Sequence, residues 1–324
     1  MVKIFKITSY TILIILVLFS GCRKLPNSVG KARDVVIVGS SIDTSLINRN
    51  LQVYQYVPQP EPTFIFIFAQ DTLLKNVRQF HSLFLCGSLR DDFIYELLDE
   101  EARAATLKDT FNLFKVENLW AKNQTVVILA ISEPSYIQEA ITRYQKMITR
   151  IFEESYYRKF KLSFYEKEMD KNIKNHLRRF GWELDIPVGW MIDSTYKDEN
   201  FIFVHTHYPD RSIFLFKEQN TEKLNDSFVI EKRNKLTRKY YNGDYVFKEL
   251  TTIEPIEFQD MKGFRVRGVW QNDFLVAGGP FLSYVLTRSG YLYIIDGILF
   301  LPGERKTDYI MGLEVMMNSF KIIE

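Results

Sequence analysis

The chain has 324 residues, and its 15 glycines and 10 prolines are too few for a collagen-like or Pro/Gly-rich disordered class. Hydrophobic content of 46% and charge of 25% are those of a folded protein, long enough for one large domain or two modest ones, each with its own core. With 42 Lys and Arg against 40 Asp and Glu the chain lacks the net basic footprint of a nucleic-acid binder, so no nucleic-acid partner is expected. The 26 Phe, 18 Tyr and 4 Trp are spread along the chain and read first as core, second as binding surface.

The N-terminus has three zones: Lys3 and Lys6, an apolar stretch from Ile7 to Phe19, then Ser20 and Gly21 before Cys22. That is a signal-peptide layout. The apolar zone falls short of the roughly 20 residues that a spanning helix needs, so removal of residues 1–21 is expected. The end of the zone, Leu18-Phe19-Ser20-Gly21-Cys22, resembles the bacterial lipobox, with Phe19 where Leu is usual. The resemblance implies a diacylglyceryl thioether on Cys22, which becomes the mature N-terminus and attaches the chain to a membrane. Processing removes Lys3 and Lys6 and no acid, leaving 40 basic and 40 acidic residues. A lipidated Cys22 cannot pair with Cys86, so no intrachain disulfide is expected. Cys86 sits in the apolar run Leu83–Cys86 and reads as a buried, inert strand thiol, with a reactive nucleophile as the alternative.

Residues 22–33 form a polar tether. Asp34 to Gly39 reads as a buried strand, short, β-branched and stopped by glycine. Pro58, Pro60 and Pro62 alternate and force an extended connector, or alternatively offer a proline-rich ligand. Further strands are expected at 64–69, 82–86 and 125–131, with a helix at 91–105. Ser132-Glu133-Pro134 starts a helix, through a capping hydroxyl, an acid in the first turn and an early proline. Helical spacing continues to Gly181 over a length that predicts two helices broken near 156–164. Strands follow at 186–192, 201–207 and 212–217, then a charged helix at 222–240 ended by Asn242-Gly243. Strands at 264–270, 281–287 and 291–301, with a hairpin corner at Ser289-Gly290, lead to a closing helix at 304–321. The pattern predicts an α+β fold of two β-sheet/helix subdomains, 34–181 and 182–324, with mostly antiparallel or mixed sheets and helices packed on one face.

No phosphate-cradling glycine loop, nucleophile elbow or His-Glu-x-x-His zinc helix is present, and no cofactor is expected. His205 and His207 share one face of a strand with Asp210 nearby, a weak metal-ligand pair whose plainer reading is solvent-facing or hydrogen-bonded imidazoles. Gly278-Gly279-Pro280, after Trp270, forms a strand connection or the lip of a ligand site. Glu183, Asp185 and Asp296 are the acids hardest to bury without a role. Asp296 reads as a general base or, more simply, as a backbone cap or a partner for Arg265 or Arg267. Trp270, Gly278, Gly279 and Asp296 are therefore the candidate surface or cleft residues.

The strings Gly268-Val269-Trp270, Gly278 to Tyr284, Asp296-Gly297 and Pro302-Gly303 resemble the domain-of-unknown-function 4837 family of Bacteroidota lipoproteins. Leu25-Pro26, Gly30-Lys31, Pro60-Glu61-Pro62, Phe180-Gly181 and Ile186 to Gly189 agree. The resemblance extends over nearly the whole mature chain and implies no catalytic residue. In that phylum surface-exported lipoproteins tend to carry acids after the lipid cysteine, whereas Arg23-Lys24-Leu25 follow here, which implies the periplasmic face of the outer membrane. The expected function is a non-catalytic envelope module that binds a partner protein or ligand. The alternative is a cell-wall or glycan hydrolase using cleft carboxylates such as Asp185 and Asp296.

Overall fold

The computed structural model describes residues 2–6, 14–17, 25–40, 42–56, 58–220 and 222–323, so the expected lipidation site Cys22 lies outside the described residues. The chain forms two compact units, one of Met1–Tyr54 with Pro62–Phe160 and one of Gln55–Glu61 with Lys161–Glu324. The divide falls after Phe160, whereas the residue pattern changes at Gly181-Trp182. No described helix is long and apolar enough to cross a membrane.

The first unit contains β1 (Val2–Lys6), β2 (Ile14–Val17), β3 (Asp34–Val38) and α1 (Thr44–Leu51). Two short strands, β4 (Tyr54–Tyr56) and β5 (Pro60–Pro62), bracket the proline-rich segment. There follow β6 (Ile65–Ala69), α2 (Leu74–Val77), β7 (Ser82–Ser88), α3 (Asp92–Tyr95), α4 (Glu100–Asp109), β8 (Phe111–Glu117), β9 (Thr125–Ile131) and α5 (Ile137–Tyr165). The sheet order is β2-β1-β8-β9-β7-β3-β6, with β6, β3, β7 and β9 parallel and the others antiparallel. In β3 the alternation of side chains sends Val35 and Ile37 toward Ile47 of α1 and Ile148 and Phe152 of α5, and Val36 and Val38 toward Ile94 and Ala102 on the opposite face. β7 and β9 are buried at every position, as strands covered on both faces must be. Cys86 in β7 is buried, and burial pushes its thiol up to about 12, so it is not a nucleophile at neutral pH.

The expected break at 156–164 is absent, because Tyr156 and Phe164 continue the buried stripe and α5 runs unbroken to Tyr165. The chain breaks at 166–170 instead. There Asp170 caps α6 (Lys171–Arg178) by accepting hydrogen bonds from the amides of Asn172 and Ile173.

The second unit continues with β10 (Trp182–Glu183), β11 (Met191–Asp193), β12 (Phe201–Thr206), β13 (Asp210–Gln219), α7 (Asp226–Tyr240) and β14 (Tyr245–Phe258). It ends with β15 (Met261–Asn272), β16 (Ala277–Arg288), β17 (Tyr291–Phe300), α8 (Thr307–Met317) and β18 (Lys321–Ile322), which pairs with β10. Its main sheet is antiparallel throughout, in the order β11-β12-β13-β17-β16-β15-β14. The strand expected at 186–192 is reduced to β11. Pro187 lacks an amide hydrogen and Gly189 takes a φ of 95°, so residues 186–190 bond to the segment before α6 through Asp170 N to Ile186 O and Val188 N to Glu168 O.

The α+β class and the mixed and antiparallel sheets are those expected. Helices cover both faces of each sheet, however, one layer more than the sequence pattern suggested. In the second unit α7 packs Val229, Ile230 and Leu236 on Phe214, Phe281 and Ile294. α8 lies on the other face, where Gly297 leaves room for Leu313 and Met317.

Candidate functional site

Odd-numbered residues of β12 and even-numbered residues of β13 face α7, which places Phe201, Phe203 and His205 beside Ser212 and Phe214. At the end of the sheet where β12 turns into β13, a recess of about 230 Å³ opens on this face. Phe203, Tyr241, Trp270, Ile298 and Phe300 form its apolar walls, and His205, Thr206, His207, Asp210, Arg211, Ser212 and Asp244 complete its lining.

Each wall is held in place by a specific contact. Trp270 donates from Nε1 to Leu299 O at 3.2 Å, and its ring lies 6.2 Å from that of Phe300. Gly279 makes this possible, since a Cβ there would stand 2.1 Å from Leu299 O and 3.2 Å from Trp270 Nε1. Gly278 sits one residue earlier, where a Cβ would come within 2.9 Å of Trp270 O. Both glycines belong to β16 and act through close backbone approach. Tyr241 donates to Ser212 Oγ at 3.0 Å, and burial pushes its phenol well above the ordinary range. Asp244 accepts from Asn272 Nδ2 at 2.7 Å; burial raises its pKa, opposed by that hydrogen bond and by Arg233.

The two strand histidines do meet. The rings of His205 and His207 lie 5.5 Å apart, and Phe203 stands 5.3 Å from His205. His207 Nδ1 is 2.7 Å from Asp210 Oδ1, so one imidazole is committed to a carboxylate. Burial first, and His207 second, lower the pKa of His205, which favours its neutral form. Among the described residues no group of three or more His, Cys, Asp or Glu is placed to hold a metal ion.

Asp296 lies below the recess and does not line it. It is fully buried and paired with Arg233, Nε to Oδ2 at 2.7 Å and Nη2 to Oδ1 at 3.1 Å, while the guanidinium carbon stands 3.7 Å over the Phe281 ring. Burial raises the Asp296 pKa and Arg233 opposes the rise. The expected partners Arg265 and Arg267 are thereby corrected. They point to the α8 face and pair with Glu314, Arg265 also with Glu254, whereas Asp296 points to the α7 face. A carboxylate so enclosed cannot exchange protons with a substrate. The other candidate acids are also committed: Lys174 Nζ bridges Glu183 Oε1 at 2.6 Å and Asp185 Oδ1 at 2.8 Å, and Arg178 adds a second cation to Glu183 at 2.8 Å. Neither acid lines the recess. Tyr241, Asp244 and Asn272 were not evident from the sequence. The stop signal Asn242-Gly243 marked the turn beside them, and nothing marked the long-range pairings that give them their places.

Residues 166–319 match the family model described as "Domain of unknown function (DUF4837)". The recess lies wholly within the residues that this model matches, whereas Leu25-Pro26, Gly30-Lys31 and Pro60-Glu61-Pro62 fall outside them. No curated protein matches the chain. Solved structures resemble parts of it. A crystal structure from Bacteroides thetaiotaomicron VPI-5482 has 6% identity and a TM-score of 0.27, over 44% of this chain and 46% of that one, so this chain spans less than half of that protein. The Saccharomyces cerevisiae Ran-binding protein Mog1p has 10% identity and a TM-score of 0.30, over 44% of this chain and 91% of its own. LpqN, involved in cell envelope biogenesis of Mycobacterium tuberculosis, has 11% identity and a TM-score of 0.28, over 44% and 83%.

Proposed function

We propose that the protein is a lipid-anchored cell-envelope module that binds a partner protein or envelope ligand without catalysis, using the recess between Phe203, Trp270 and Phe300. The observation that carries this reading is the state of the polar groups in the recess. His207 is held by Asp210, Tyr241 by Ser212 and Asp244 by Asn272, which leaves an aromatic-walled hollow without a paired nucleophile and base. The glycan-hydrolase alternative draws no support from Asp185 or Asp296, both of which are in ion pairs. The anchor is proposed from the basic, apolar and small-residue zones before Cys22. The basic pair Arg23-Lys24 favours the periplasmic face of the outer membrane, as in the Bacteroidota lipoproteins that the sequence resembles.

The test is crosslinking of the full chain in living cells, followed by capture and mass spectrometry, with a His205→Ala variant in parallel. A stoichiometric envelope partner or ligand that is lost with His205→Ala supports the module. An identical capture from the variant, or turnover of an envelope polymer that depends on His205 or Asp244, overturns it. Labelling with an alkynyl fatty acid reads the anchor, and the label must disappear in Cys22→Ser.

A further inference from the structure

Arg211 is the second residue of β13 and stands opposite Thr206 of β12 and Leu299 of β17. It borders the recess, but the alternation of the strand sends its side chain to the other face of the sheet, the one that α8 covers. There its guanidinium carbon stands 5.3 Å from the centre of the Trp190 ring and 5.1 Å from that of Tyr309 in α8. Both rings are seated by local bonds. Trp190 follows Gly189, whose carbonyl accepts from Thr206 Oγ1 at 3.2 Å, and Tyr309 lies in the first turn of α8, its amide donating to Lys306 O at 3.0 Å.

What Arg211 lacks is an acceptor. Among the described residues no carboxylate or carbonyl takes a hydrogen bond from it, and its Nε is sealed from solvent without a partner. Other enclosed arginines of this unit differ: Arg233 is paired with Asp296, and Arg265 with Glu254 and Glu314. Burial lowers the pKa of Arg211, and the Tyr309 phenol, not an acid, opposes the fall. Ring contacts attract the charge but leave the N–H edge of the guanidinium unmet. As packing alone the residue is a poor choice, because an apolar side chain would fill the same space without the cost of taking a charge out of water. Arg211 is half-buried, and with Nε enclosed it is Nη1 and Nη2 that remain to meet a ligand. Held beside two rings, they offer the two-point N–H fork that matches a pair of oxygens on one anion.

We infer that Arg211, flanked by Trp190 and Tyr309, is a binding site for an oxyanion, the phosphate or carboxylate group of a ligand. The N-terminus of α8 is not part of it, since Glu61 already takes the amides of Lys306 and Thr307. The site lies across the sheet from the aromatic hollow and does not depend on the lipid anchor, and every residue in it belongs to the second unit.

The test uses phenylglyoxal, which modifies guanidinium groups whose edges are not engaged by an anion. The full chain is treated with the reagent alone, with inorganic phosphate or with acetate, ionic strength being held constant with sodium chloride, and modification is followed by peptide mass spectrometry. At roughly 20 mM anion a site with a dissociation constant of about 5 mM is four-fifths filled, so modification of Arg211 should slow about fivefold. The exposed Arg305 serves as the control and should react at an unchanged rate. Slowing by phosphate alone assigns a phosphate group to the ligand, and equal slowing by acetate assigns a carboxylate. Modification of Arg211 at one rate in all three samples overturns the inference, as does a slowing that Arg305 shares. Thermal unfolding gives a second readout. Phosphate stabilises most proteins by exclusion from their surfaces, so the comparison is with Arg211→Gln, and the parent should gain about 1–3 °C more than the variant. Equal gains in the two proteins overturn the inference, and if Arg211→Gln fails to fold, the protection of Arg211 in the parent decides alone.

Discussion

Arg233 of α7 and Asp296 of β17 form a two-point ion pair that is sealed from solvent, with the guanidinium against the Phe281 ring. The pair fixes where α7 sits on the sheet, and so where Tyr241 and Asp244, which follow α7, meet the recess. Removing one partner leaves a buried charge uncompensated. Asp296→Asn or Arg233→Met is therefore expected to cost about 3–5 kcal/mol in urea unfolding followed by tryptophan fluorescence. The double change Arg233→Met with Asp296→Leu should recover much of that loss. A double variant no more stable than the worse single one would show that the pair itself, and not its unmatched remnant, supports the unit.

Glu61 explains the Pro60-Glu61-Pro62 segment in structural terms. Its carboxylate accepts from the amides of Lys306 and Thr307, at 2.8 and 3.0 Å, and from the Thr307 hydroxyl at 2.6 Å, thus capping α8 from a distant part of the chain. Burial pushes its pKa upward, but the bonds from Thr307 and Lys306 outweigh that and leave it below its ordinary 4.5. Glu61→Gln should cost about 1–2 kcal/mol at neutral pH. Because the folded-state pKa is the lower one, this stabilisation is complete above pH 4.5 and is lost as pH falls through the folded value. Denaturation of both proteins at pH 7 and pH 3.5 checks this: a gap that does not narrow in acid would rule out the charged cap.

The strands most legible in the sequence were those buried on both faces. The runs at 34–39, 82–86, 125–131 and 291–301 are apolar, all but the second rich in β-branched residues, and each became a central strand. β14 was missed because it is largely exposed, carries Pro255 and alternates charged residues with threonines, which lowers its local signal. α1 and β8 were missed for a related reason, the polar Asn48, Arg49, Asn112 and Lys115 diluting short apolar patterns. For the site, Trp270, His205, His207 and Asp210 were visible as unusual residues in strands, and they do line one recess. The partners that decide their chemistry were not visible. Ser212 reaches Tyr241 29 residues on, and Arg233 reaches Asp296 63 residues on, and no local pattern encodes such pairs.

His81 is a buried histidine of the first unit. Its Nε2 lies 2.9 Å from Ala32 O, and Nδ1 is buried without a hydrogen-bond partner. Burial lowers its pKa from 6.5 to about 4, aided by Lys159 and opposed by the Ala32 bond. The unfolded chain therefore binds the proton first as pH falls. Stability from the neutral ring is complete above pH 6.5 and drains away toward pH 4, by about 3 kcal/mol over the whole window and about 2 kcal/mol between pH 7 and 5. His81→Phe should flatten this pH dependence while lowering stability at pH 7. A titration of the His81 ring protons by NMR with a midpoint near 6.5 would sink the prediction.

Gly279 and Gly278 are adjacent, yet their substitution should differ. At Gly279 a methyl group would stand 2.1 Å from a main-chain oxygen of the neighbouring strand, Leu299 O, which cannot rotate away; β16 and β17 must separate, and the Trp270–Leu299 hydrogen bond goes with them. At Gly278 the nearest atom is Trp270 O at 2.9 Å and the next lie at 3.7 Å, so a small shift of the strand end accommodates the methyl. Gly279→Ala is expected to cost about 2–3 kcal/mol and Gly278→Ala about 1 kcal/mol. The first change should also move Trp270 emission to longer wavelength as the ring loses its seat and water enters the recess. If Gly279→Ala were as stable as the parent with unchanged Trp270 emission, the close approach of the two strands would not be what seats the tryptophan.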